Sequence, residues 1–175
     1  MDADPGKRID LAWRECQTWI AEFDGSPRLA LLVDAPLEAL APGMLKLAEQ
    51  VESLRLTRLP ARDIHAPEYF ALVDFSNQLE KLSSGETAEL SANFAARAAA
   101  FDLDLHLVFH PVKENRLALE FVWWSDQVFS SETDNRAQFQ ALMEYFVRLQ
   151  QMFQANGLFL SLENGLGNED AWVEV

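Results

Sequence analysis

Apolar positions recur along this chain at two different spacings, and each spacing predicts a different kind of element. From Arg8 to Phe23, the residues Ile9, Ala12, Trp13, Cys16, Trp19, Ile20 and Phe23 fall on one face at helical spacing, and Asp24-Gly25 stops the run. Leu29 to Val33 is a short continuous apolar run, which predicts a buried strand. Pro42 suits the first turn of a helix reaching to about Ser53. Leu54 to Leu59 alternates and predicts a half-exposed strand closed by Pro60. Glu68 to Leu82 reads as a helix broken by Ser83-Ser84-Gly85. Glu86 to Phe101 is Ala-rich, with Leu90, Phe94, Ala98 and Phe101 in a row, and also reads as a helix. Asp134 caps a further helix over 135–155, whose stripe is Phe139, Leu142, Met143, Phe146, Leu149 and Phe153. Leu158 to Leu162 reads as a last strand, and 163–175 as an acidic, Gly-containing tail.

The clearest strands are Leu103–His110 and Leu117–Trp124, joined by a hairpin loop over Pro111–Arg116. Their odd positions are all large and apolar: Leu103, Leu105, Leu107, Phe109, then Leu117, Leu119, Phe121, Trp123. Side chains alternate faces along a strand, so this face packs on the core. The even positions bring Asp104, His106, His110, Glu120 and Trp124 to the opposite face. With a short loop, the expected register sets His106 across from Glu120 and Asp104 across from Val122. The fold expected is α+β: a single domain over 1–162 with a mixed or antiparallel sheet of about five strands, this hairpin central, and about five helices packed on it.

Composition narrows the chemistry. The 175 residues carry 28 Asp and Glu against 14 Lys and Arg, a formal net charge of −14. A broad nucleic-acid face needs the opposite sign, so no nucleic-acid partner is expected. The imbalance is uneven: residues 1–62 hold 10 acids and 8 bases, and residues 63–175 hold 18 acids and 6 bases. Arg55, Arg58 and Arg62 form a local basic cluster, read as protection of a strand edge. One cysteine supplies neither an intrachain disulfide nor a thiolate metal cage, and Cys16 on the apolar stripe reads as a buried thiol. The polar start does not read as a signal peptide, and no stretch reaches the roughly 20 apolar residues of a membrane span. A cytoplasmic protein without a membrane partner is the expectation.

Catalytic signatures are missing. There is no phosphate-cradling G-x-x-x-x-G-K, no G-x-S-x-G elbow, no H-E-x-x-H and no C-x-x-C. His106 and His110 have the i, i+4 spacing of a helical metal pair, but four residues of strand span roughly 13 Å, too far to share one ion. No cofactor and no metal are therefore expected. The reading that remains is a non-enzymatic acidic domain that inhibits or escorts a basic protein, in the general character of an immunity protein or a secretion chaperone. Its binding residues would be Asp104, His106, His110, Glu120 and Trp124, since a Trp supplies contact area and charges supply steering. Two alternatives stand beside it. One is a small hydrolase-type enzyme using carboxylates or a His106–Glu120 base and orienter. The other is a homodimer joined along helix 135–155, where Tyr145, Val147 and Met152 lie off the main stripe.

Overall fold

The computed structural model describes residues 5–21, 25–98, 101–113, 115–161 and 172–175. Among these residues, four α-helices and eight strands follow in the order α1 (Pro5–Ile20), β1 (Pro27–Pro36), α2 (Leu37–Ala48), β2 (Glu52–Pro60), β3 (Glu68–Phe70), α3 (Phe75–Ser83), β4 (Thr87–Ala98), β5 (Phe101–Lys113), β6 (Arg116–Trp124), α4 (Asn135–Met152), β7 (Gly157–Ser161) and β8 (Trp172–Glu174). The strands form one sheet in the order β3-β2-β4-β5-β6-β1-β7-β8, and every neighbouring pair is antiparallel. The class is α+β, but among the described residues eight strands and four helices replace the five and five expected from the sequence.

The helices lie on the face formed by the odd positions of β5 and β6. Trp19 of α1 meets Trp123, Phe75 of α3 meets Phe109, and Phe146 of α4 meets Phe121. Gly43 lets α2 close onto Phe153 after the end of α4, because a Cβ there would stand 2.5 Å from the ring. Asp134 caps α4 as expected, accepting hydrogen bonds from the Arg136 and Ala137 amides at 3.1 and 3.2 Å.

Five segments depart from the expected elements. Residues 87–98 are a strand, not a helix: Leu90, Ala92, Phe94, Ala96 and Ala98 face the core, while Glu89, Ser91, Asn93, Ala95 and Arg97 alternate with them. Ala is compatible with either structure, and burial of a period-2 row prevails over its helix propensity. Glu68–Leu82 divides into β3, a 3-10 turn over Leu72–Asp74 and α3. Helix α2 starts five residues before Pro42, which sits inside it. The hairpin loop expected over Pro111–Arg116 is largely strand, since β5 runs on through Pro111 to Lys113, where Lys113 pairs with Arg116. Asn115 takes a φ of 59°, the left-handed conformation a tight turn needs and Asn tolerates. In the segment read as a tail, Trp172–Glu174 is strand β8 against β7. Phe23, Asp24 and residues 162–171 of the sequence reading lie outside the described residues.

Candidate functional site

No described helix packs on the other face of the sheet, although Leu29, Ser91, Val108, Ala118 and Glu120 at its middle are buried. Its rows can be followed strand by strand. One crosses all eight strands as Tyr69, Thr57, Ser91, Val108, Glu120, Leu31, Phe159 and Glu174. The next runs Arg55, Asn93, His106, Val122 and Leu29. All five residues singled out in the sequence, Asp104, His106, His110, Glu120 and Trp124, share this face, because the odd-to-odd pairing of β5 and β6 holds.

The register is two residues away from the expected one. His106 faces Val122, Val108 faces Glu120 and His110 faces Ala118. The expected His106–Glu120 pair is therefore absent, and the cause is the longer β5: removing the loop slides the strands by two while keeping the faces. His110 takes the place of His106. It reaches diagonally to the carboxylate, with Nε2 2.9 Å from Glu120 Oε2. The Glu120 side chain is 9% exposed and that of His110 42%. A carboxylate held that low between Val108 and Leu31 needs a polar partner, and the imidazole supplies it. His106 is engaged elsewhere: its Nδ1 lies 2.8 Å from Asn93 Oδ1. An amide oxygen only accepts, so in this contact Nδ1 is the donor. Both histidines lie on β5, as the strand reading required, and among the described residues no group of three His, Cys, Asp or Glu could hold a metal ion.

One end of the face opens into a shallow depression of about 500 Å³, lined by Arg55, Asn93, Asp104, His106, Val122 and Trp124 among others. Trp124 at its edge is 47% exposed. The Asp104 carboxylate accepts from Gln127 Nε2 at 3.1 Å, while the Asp104 amide donates to Gln127 Oε1 at 3.3 Å, which fixes that wall. Arg55 lies over the Tyr69 ring, 5.7 Å from its centre. Arg58 points instead to the helical side, where it donates to Glu68 and Gln78. Sequence reasoning missed Asn93 and Tyr69 by placing both on helices, and it took Arg55 for an edge residue. The alternation of Glu89, Ser91, Asn93 and Arg97 was the signal that could have found Asn93.

The apolar surface expected along α4 is not bare. Tyr145 is buried, and Val147 and Met152 pack against the core. Among the described residues no helix is long and apolar enough to cross a membrane. No family model matches this chain, and no curated protein or solved structure is significantly similar to it.

Proposed function

We propose that this protein is a non-enzymatic binding domain that inhibits or escorts a basic protein partner in the cytoplasm, and that it docks the partner at the exposed end of this sheet face, around Trp124. The observation that carries this reading is a half-exposed Trp beside a shallow depression whose walls are Arg55, Asn93, Asp104 and His106. Large aromatic side chains next to oriented polar groups dominate the energetics of protein interfaces. The net charge of −14 supports a basic partner, because a field of that sign steers a cation toward the molecule before contact. A small inhibitor of the immunity-protein kind and a secretion chaperone both need this combination and no catalytic group.

The experiment compares capture from host lysate by the wild-type protein and by a folded Trp124→Ala variant. A basic protein retained by the first and lost by the second supports the reading. Equal capture by both would overturn it.

The His110–Glu120 contact favours a second reading, a hydrolase-type enzyme. A buried carboxylate holding an imidazole is the arrangement of a base and its orienter. That role now falls to His110 rather than His106, and a turnover abolished by His110→Ala in a folded protein would establish it.

A further inference from the structure

We infer that the β3 edge of the sheet is a self-association surface, where two copies of this chain pair β3 with β3 antiparallel across a two-fold axis at Tyr69. Strand β3 ends the sheet, and no described strand pairs with its outer side. An edge strand presents unpaired N–H and C=O groups in a row that another strand can use. Natural edges are protected by charge; here the Glu68 charge is taken up by Arg58, and exposed apolar side chains lie on β3 and in the segments that flank it. Ile64 is 55% exposed, Tyr69 69% and Val73 87%, which gathers three of the described large apolar exposures into ten residues. Residues 61–69 are exposed without interruption, so loop and strand together form a continuous belt.

Charge selects a second copy as the occupant. Elsewhere, two molecules of net charge −14 repel each other on approach. Over residues 52–75, Glu52, Asp63, Glu68 and Asp74 are nearly balanced by Arg55, Arg58 and Arg62. Glu68 is already paired with Arg58, whose Nε donates to it at 2.9 Å. A basic partner would gain no net attraction from this nearly balanced segment, whereas an identical edge would meet little net charge. Pairing about Tyr69 sets the two Tyr69 rings opposite each other and each Glu68 across from the partner's Phe70, so the carboxylates do not meet. Arg55 over the Tyr69 ring holds that side chain in place at the contact. A two-fold interface of this kind closes on itself and leaves no growing end.

Sedimentation velocity over a concentration series from low micromolar to several hundred micromolar tests this on the full chain. A reversible monomer–dimer equilibrium is expected. Tyr69→Glu and Val73→Glu should each weaken it by about ten-fold or more, a loss of about 1.4 kcal/mol, while Tyr69→Phe and Trp124→Ala leave it intact. Amide exchange at 68–70 should slow as dimer accumulates. A wild-type protein that stays monomeric throughout would overturn the inference. So would a dimer insensitive to both Glu variants, or one dissolved by Trp124→Ala, since that would place the contact on the open face. Partner capture through Trp124 is a separate readout, so either proposal can fail alone.

Discussion

His110 and Glu120 meet diagonally across β5 and β6, Nε2 to Oε2 at 2.9 Å, although neither is the other's register partner. The carboxylate is almost wholly withdrawn from solvent and the imidazole is not. Removing the imidazole strips a buried acceptor of its partner. His110→Ala should therefore lower stability by about 1–3 kcal/mol, toward the low end because the ring is partly solvated. Glu120→Gln keeps an acceptor oxygen and should cost less than Glu120→Ala. Urea denaturation of the three variants checks the order.

Gly43 and Phe153 predict the opposite kind of damage. A methyl at Gly43 would lie 2.5 and 2.7 Å from two carbons of a fully buried ring. Gly43→Ala should thus destabilise by about 1–3 kcal/mol despite the better helix propensity of Ala. Phe153→Leu in the same chain should recover part of the loss relative to the sum of the two single changes, as a double-mutant cycle would show.

Cys16 is wholly buried, and burial pushes its thiol from 9.0 up to about 12, with the charge of Glu15 acting in the same direction. The thiolate is the reactive form, so alkylation at pH 8 should be very slow in the native protein and fast in denaturant. The folded value lies above the unfolded one. The contribution of the protonated thiol to stability is therefore whole below about pH 9 and is lost as pH rises toward 12. Equal alkylation rates with and without denaturant would contradict this burial.

For the proposed partner, salt and Trp124 should act on different rate constants. Association should slow steeply as ionic strength rises past the point where the Debye length is about 8 Å. Trp124→Ala should mainly speed dissociation, at a cost of about 2 kcal/mol or more. Asp104→Asn, at the rim beside Gln127, should mainly slow association. Surface plasmon resonance across a salt series separates the two effects.

The sequence made some elements legible because one signal dominated there. Helix α4 had a cap and an unbroken apolar stripe, and the alternation on β5 and β6 fixed which residues share a face. Strand β4 was hidden because Ala satisfies both spacings: Leu90, Phe94 and Ala98 are four apart and also even-numbered. The register was hidden behind Pro111, which reads as loop but lies at an irregularity near the end of β5. Asn115 was the residue that marked the true turn. The seat of β1 between β6 and β7 left no local trace, because it depends on pairings far apart in sequence. The face that carries His106 and Glu120 was legible as a set of residues, but which of them touch was not, since contact across strands turns on a slide of two.

That seat of β1 bears on how the chain is made. As the protein emerges from the ribosome, β2 to β5 can zip together from neighbouring segments. Strand β1 comes out before any of them, yet Pro27 must find Trp124 and Val33 must find Gly157. Until those late residues are synthesised, Leu29 to Leu32 has no strand beside it. Such pairings of high contact order are slow and leave apolar segments open to aggregation. A chain stopped short of residue 116 would strand its own first strand, so in vivo yield should depend on finishing translation promptly and on a holdase that shields the early hydrophobic stretch.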